Sequence, residues 1–188
     1  MDSVELMQAA FDGDVLALRA LLNAGADPNW IDPNAGHTVL YNACRGDKVT
    51  AVRTLLEYGA EPNHRIDYLS PVDGRKESGV VALMYARSTD VAELLISAGA
   101  EVDAADERGA TALHHAVYWG KGDVVKSLLK AGADPLRKTK DGKSVLDIVR
   151  SRIEHYRSLA IGPNNDAVAE QMAVFERIVD LLPGESAA

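Results

Sequence analysis

The chain has 188 residues, of which 47% are hydrophobic and 26% are charged, which excludes global disorder and allows one domain with a sizeable core. Its formal net charge of −8 argues against general binding to nucleic-acid phosphates or anionic membranes. The lone cysteine, Cys44, excludes an internal disulfide framework and favours a reducing, cytoplasmic location. We find no secretory pattern and no apolar run of the roughly 20 residues that span a bilayer.

A short pattern of paired apolar residues followed by Gly-Ala and an acidic residue occurs four times. Its glycines, Gly25, Gly59, Gly99 and Gly132, are 34, 40 and 33 residues apart. A period near 33 residues with two short helical stretches in each copy predicts a stacked helical repeat. The glycine suits the left-handed conformation that ends a helix, and in three copies a proline follows three residues later and stops the helix from resuming.

The first two copies are predicted to be an N-terminal capping repeat at 1–30 and a second repeat at 31–64. The first copy begins at Ser3 without a leading hairpin, as suits a cap. In the second copy the hairpin around Asp32 to Gly36 is one residue longer than the corresponding turn of the fourth copy.

The third copy, at 65–104, departs from the others in two ways. About ten extra residues lie near 67–79 and include turn formers such as Pro71, which predicts an enlarged hairpin or a mobile finger. Such an insertion is either a binding element or a neutral surface loop. In addition, the segment at 87–90 between the two helices is three residues short.

The fourth repeat, at 105–137, is predicted to contain a turn followed by two helices. The turn is Asp106–Gly109, and the helices run from Thr111 to Val117 and from Val124 to Ala131. A break from Gly120 to Asp123 separates the two helices.

The last unit, 138–182, is predicted to hold a fifth repeat and a C-terminal capping helix, and 183–188 to be a tail. Ser144 and Asp147 have the spacing of a capping box. Apolar residues at helical spacing then predict two long helices, because an end repeat needs a cover for its apolar face.

The fourth copy resembles the ankyrin-repeat signature, with Ala112 where proline is usual. The residues that carry the resemblance are Asp106-Glu107-Arg108-Gly109-Ala110-Thr111-Ala112-Leu113-His114-His115-Ala116. The resemblance extends over about residues 3–160, and it implies an all-α solenoid of about five helix pairs with hairpin loops, capped at both ends. It also implies that His114 orders its turn by hydrogen bonding, and that partners bind to hairpin tips and to the exposed face of each first helix.

Carrying those positions over from copy to copy gives a predicted partner-binding set. The set is Phe11, Asp12, Asn34, His37, Arg45, Glu107, Arg108, Tyr118, Trp119, Lys140, Lys143, Ser151 and Arg152, and the insertion adds Tyr68, Leu69, Arg75 and Lys76. Tyr118 and Trp119 stand out because only 5% of the chain is aromatic and such residues anchor interfaces. A buried role for Trp119 is the alternative.

No catalytic, cofactor or metal site is predicted. His114 and His115 are adjacent, so on one helix they point about 100° apart and chelate poorly. Cys44 has no base beside it in the sequence, and no glycine-rich phosphate loop is present.

The sequence therefore favours a monomeric, non-enzymatic protein–protein interaction module that acts as an inhibitor, adaptor or regulator. A bacterial immunity protein that neutralises a toxin is a special case of this reading. A different class, a binder of nucleic acid or anionic lipid, would use the region 137–157, which carries seven bases and three acids. No interleaved aromatic residues support base stacking there.

Overall fold

The computed structural model describes residues 3–69, 76–159 and 166–182. These residues form nine α-helices, one 3₁₀ helix and one two-stranded sheet. The elements are α1 (Ser3–Asp12), α2 (Val15–Asn23), α3 (Val39–Arg45), α4 (Val49–Glu57), β1 (Ile66–Leu69), β2 (Lys76–Val80), the 3₁₀ helix (Ala82–Tyr85), α5 (Thr89–Ser97), α6 (Ala112–Tyr118), α7 (Gly122–Lys130), α8 (Val145–Leu159) and α9 (Asp166–Val179).

The helices lie in two parallel rows that extend from one end of the molecule to the other. In the first row α1 contacts α3, α3 contacts the 3₁₀ helix, and this contacts α6, which contacts α8. In the second row α2, α4, α5, α7 and α9 follow each other in the same way. One continuous apolar core lies between the rows and runs from Leu6 to Ile178. This arrangement confirms the predicted all-α repeat solenoid.

Local signals in the sequence start and end the helices. Asp14, Thr38 and Ser88 each accept a hydrogen bond from the amide three residues later, as helix N-caps do. The four glycines that mark the repeats all have φ between 86° and 94°, the left-handed conformation that glycine adopts without strain. The predicted helix stops are therefore confirmed.

Asparagine side chains fix the spacing between neighbouring repeats. Asn29 donates to the Gly59 carbonyl at 3.0 Å and accepts from the Glu61 amide at 2.8 Å. Asn63 makes the same two bonds to the next repeat along, at 2.9 and 2.8 Å. Each bond satisfies a backbone group just beyond a helix end, so one side chain sets the position of the following repeat.

The inserted segment of the third repeat forms an enlarged β-hairpin. Strands β1 and β2 are antiparallel, with Ile66 opposite Val80. The pairing register shifts between Ile66 and Tyr68, and the carboxylate of Asp67 at this point accepts from the Gly79 amide at 2.8 Å. On its other side β2 joins the next hairpin, because the Glu107 amide donates to the Ser78 carbonyl at 2.9 Å. The enlarged hairpin was predicted, and its tip at 70–75 lies outside the described residues.

The missing residues of the third repeat shorten its first helix to a single 3₁₀ turn. The loop that follows is fastened to the second repeat. Ser88 Oγ donates to Asp47 at 2.7 Å, and Arg87 donates to the Arg45 carbonyl at 3.2 Å. These two bonds hold the loop against the second repeat and away from the fourth repeat.

The predicted helix limits of the fourth repeat need one correction. Helix α7 begins at Gly122, within the predicted break, because the chain completes its reversal at Gly120, where φ is 65°. Helix α6 runs from Ala112 to Tyr118, within one residue of the prediction.

Two long helices close the C-terminal end of the stack. Helix α9 packs on α7 and α8, with Phe175 and Ile178 fully buried beneath it. Val179 on the same helix is half-buried. Within the described ranges, no helix has the length and apolarity needed to cross a membrane.

Candidate functional site

The ends of the first-row helices carry a strip of arginine and aromatic side chains. At the N-terminal end of the stack the Phe11 ring is 38% exposed, and the guanidinium of Arg45 lies 5.4 Å from its centroid. Asp12 is exposed beside it and accepts from Gln8 at 2.7 Å. Cation–π contact of this kind holds the arginine in a defined position on the surface.

Tyr118 and Trp119 form an exposed aromatic pair at the end of α6. Their side chains are 46% and 60% exposed, and their rings meet edge to face with centroids 5.1 Å apart. The buried alternative for Trp119 is therefore wrong. The chain turns directly after the pair at Gly120, where φ is 65°, and Phe175 of α9 lies close to this glycine.

Arg152 is held against three aromatic rings beside this pair. Its guanidinium carbon lies 5.1 Å from the Tyr118 centroid, 5.1 Å from that of Tyr156 and 5.5 Å from that of Phe175. Nη2 donates to Tyr156 Oη at 3.0 Å, whereas the buried Nε has no hydrogen-bond partner among the described residues. Arg152 is thus ordered before any partner arrives, and Ser151 next to it is exposed.

The hairpin tips form a second strip, and their aspartates are used inside the turns. Asp32 accepts from the amides of Asn34 and Ala35, at 2.8 and 3.2 Å. Asp106 accepts from the amides of Arg108 and Ala110, at 2.8 and 2.9 Å. The second-repeat turn is one residue longer than the fourth-repeat turn, as predicted. The Asp32 amide donates to the carbonyl of His37, five residues later, whereas the Asp106 amide donates to the carbonyl of Ala110, four residues later. Of the residues predicted at the tips, those that are exposed are Asn34, Glu107, Arg108, Lys140 and Lys143.

Asp106 also lies close to the ring of His115 beneath the hairpin, with 3.5 Å between Nε2 and Oδ2. Burial alone would raise the pKa of Asp106, but the adjacent His115 ring and the bond from the Ala110 amide, together with nearby Arg108, bring it below its usual value. The aspartate therefore holds the turn as a carboxylate.

His37 is buried and not exposed on its hairpin as expected. Only 7% of it is accessible, because its ring stacks on Tyr41 at 4.5 Å. Tyr41 meets Tyr85 at 4.7 Å, and Tyr85 lies 6.1 Å from His115, so the rings form a row across three repeats. Burial, followed by the charge of Arg45, lowers the pKa of His37, which favours the neutral ring. His37 supports the hairpin from below.

His114 and Cys44 carry groups that serve in catalysis or metal binding in other proteins, and here both have structural roles. His114 Nδ1 accepts from the Thr111 amide at 3.2 Å and lies 2.9 Å from Thr111 Oγ1, so the turn is ordered as expected. Burial raises the pKa of the Cys44 thiol, which is fully enclosed. In the described part of the chain no group of three or more His, Cys, Asp or Glu side chains could hold a metal ion.

The insertion places its candidate residues on the hairpin. In the backbone register Tyr68 lies opposite Glu77 and Leu69 lies opposite Lys76, which is exposed at the start of β2. Arg75 is outside the described residues.

A cavity of about 480 Å³ opens between the third and fourth repeats. It is lined by residues 87–90 on one side and 120–124 on the other. The cavity is the space left by the shortened third repeat, whose loop is fastened to the second repeat. Arg87 stands at this cavity and is exposed, but the alignment of the copies failed to identify it because the deletion falls there.

Comparison with known proteins agrees with this geometry. The family model for ankyrin repeats, in three copies, matches residues 6–106 and 66–139. The chain belongs to the ankyrin-repeat family, whose repeats are modules for protein–protein interaction.

Several curated proteins are similar to the chain over about three quarters of its length. The mitochondrial disaggregase of Bos taurus is 34% identical over 77% of this chain and 21% of the relative. Ankyrin repeat and SOCS box protein 6 of Homo sapiens is 32% identical over 77% of the chain and 34% of the relative. Palmitoyltransferase AKR1 of Lachancea kluyveri is 30% identical over 79% of the chain and 20% of the relative. The chain thus spans between a fifth and a third of these relatives, some of which are enzymes by name.

Proposed function

We propose that this chain is a non-enzymatic module that binds a protein partner in the cytoplasm and acts on it as an inhibitor, adaptor or regulator. One observation carries the proposal, namely the exposed Tyr118–Trp119 pair beside the ordered Arg152. Tyr, Trp and Arg dominate the energetics of protein interfaces, and rigid side chains lose little entropy when a partner covers them. The ring stack, the turn aspartates and the asparagine bonds hold the fold together without using this surface.

The rest of the surface supports a protein rather than a small ligand. The strip at the first-row helix ends runs from Phe11 to Arg152, along the full stack, and the hairpin tips run beside it. A surface of that length matches an extended or globular macromolecule. The region shared with the relatives makes up only 20–34% of their length, which supports its role as a separate module.

The double variant Tyr118→Ala with Trp119→Ala tests the proposal. The partner is first isolated by affinity capture from native lysate and identified by mass spectrometry, and its binding to purified chain is then measured by calorimetry. Loss of two such anchors weakens binding by on the order of 2 kcal/mol or more, about thirtyfold in Kd.

A matched control removes exposed apolar side chains elsewhere. Leu16 and Leu136 are 84% and 54% exposed on other parts of the surface, so the variant Leu16→Ala with Leu136→Ala should leave Kd unchanged. Both variants should keep the wild-type circular dichroism spectrum. Equal Kd values for the aromatic variant and the wild type would remove this surface from the proposal.

A further inference from the structure

Two arginines lie near the end of α6, the helix whose last turn carries the aromatic pair. Arg152 stacks on Tyr118 at 5.1 Å from its centroid. On the other side, Arg87 lines the cavity whose opposite wall includes Gly120, the residue after Trp119. Of these two arginines one comes from the third repeat and one from α8, so the stack brings them together across the fourth repeat.

Neither arginine is neutralised by the protein itself. Within the described ranges, neither Arg87 nor Arg152 forms an ion pair with a carboxylate. Arg87 donates to a backbone carbonyl at 3.2 Å, and Arg152 donates to a tyrosine hydroxyl at 3.0 Å. Each guanidinium is therefore held in place by neutral groups, with its charge left for another molecule.

Several acids of the hairpins and of α8 are engaged in local structure. Asp106 and Asp141 accept bonds within their own hairpins, and Asp147 accepts from Ser144 at the start of α8. The cavity lining also contains Lys121 together with Asp90 and Asp123, of which Asp123 lies 3.4 Å from the Lys126 ammonium.

The charge of the chain is distributed unevenly along the stack. Residues 1–30 carry five acids and one base, whereas 137–157 carry seven bases and three acids. Because salt screens charges beyond about 8 Å at physiological ionic strength, a partner near α8 responds to the local positive charge and not to the net charge of the chain.

We propose that the partner presents an acidic segment containing an apolar side chain, a proposal that rests on the proposed function. The apolar side chain packs against Trp119, and carboxylates on either side of it pair with Arg87 and Arg152. A planar guanidinium matches a carboxylate with two parallel hydrogen bonds, and a pre-ordered one binds with less loss of entropy. The cavity, whose lining begins at Gly120 directly after Trp119 in the chain, leaves room for part of such a segment.

The test uses a fluorescein-labelled peptide of ten residues, all glutamate except one central leucine, and follows its binding to the full chain by anisotropy. We expect saturable binding, which is lost when all glutamates are replaced by glutamines. Arg87→Gln and Arg152→Gln should each weaken binding about tenfold, the equivalent of about 1.4 kcal/mol. Arg152→Lys, which keeps the charge but not the planar fork, should recover part of the loss.

An exposed arginine away from the site provides a matched control. Arg53→Gln on α4 makes the same change in net charge and should alter the Kd less than twofold. If this control weakens binding as much as the site variants, or if the peptide does not bind, the acidic-segment proposal is overturned. Tighter binding of a ten-nucleotide oligothymidine or of phosphatidylserine vesicles, with the same dependence on Arg152, would overturn it in favour of those ligands.

The two proposals fail in different ways. If Tyr118→Ala with Trp119→Ala weakens capture of the natural partner while the arginine variants leave it unchanged, the acidic segment is wrong and the binding surface stands. If neither set of variants affects capture, both are wrong.

Discussion

Substitution of Gly120 measures how firmly the C-terminal cap is docked on the stack. The residue has a φ of 65°, and an alanine Cβ would lie 3.3 Å from Phe175 Cζ and 3.5 Å from Val174 Cγ1 on α9. Gly132 is the matched position, since its φ is 91° but nothing lies within 4 Å of an added Cβ. The two alanine variants therefore share the backbone strain and differ in the contact with α9.

The expected magnitudes follow from these two contributions. A left-handed conformation costs a residue with a Cβ about 1 kcal/mol or somewhat more, so Gly132→Ala should lower the free energy of unfolding by about that amount. Gly120→Ala adds a crowded contact with a fully buried ring, and overpacking of a core typically costs a further 1 kcal/mol or more. We expect a total loss of about 2–3 kcal/mol for Gly120→Ala.

Urea unfolding followed by circular dichroism compares the variants, and Phe175→Leu in the Gly120→Ala background serves as the relief variant. A smaller side chain at 175 makes space for the new methyl group, so Gly120→Ala should cost less stability in the Phe175→Leu background than in the wild type, although Phe175→Leu is itself destabilising. Equal destabilisation by the two alanine variants would refute the docking of α9 against this turn.

Two further predictions concern the fourth-repeat turn. The pKa of Asp106 is lower in the folded chain than in the unfolded one. The stabilisation by its carboxylate is therefore complete above the usual aspartate pKa of about 4, and it is lost as the pH falls through the folded value. Asp106→Asn should flatten the acid side of the stability curve, measured by thermal unfolding at a series of pH values. An unchanged pH dependence in this variant would contradict the role of the carboxylate. Thr111→Val removes the hydroxyl that caps α6 and faces His114, and should lower the free energy of unfolding by about 1 kcal/mol in urea titrations, whereas Thr50→Val at an exposed site of α4 should have little effect.

The features that repeat in the sequence were the ones that could be predicted. The marker glycines gave the helix ends, and apolar spacing gave the two long C-terminal helices, because both signals are local. The exposed pair Tyr118–Trp119 also followed from its position in the repeat.

Features that depend on two different repeats were not accessible in this way. His37 is buried because its ring joins a row completed by Tyr41, Tyr85 and His115, which lie on separate helices. The order imposed on Arg152 requires rings from α6, α8 and α9 to converge on one point. No pattern within a single repeat contains that information.

The third repeat shows why a departure from the repeat can matter more than its consensus. Its deletion shortens the loop at Ser88, which is bonded to the second repeat, and the vacated space becomes the cavity that Arg87 and Gly120 line. Its insertion supplies β2, which bonds to the hairpin of the fourth repeat through Glu107. That hairpin in turn bonds to the fifth through Lys140 and Arg108. The same repeat thus opens a gap on the first-row surface while bridging the hairpins beside it, so the gap can persist without separating the third repeat from the fourth.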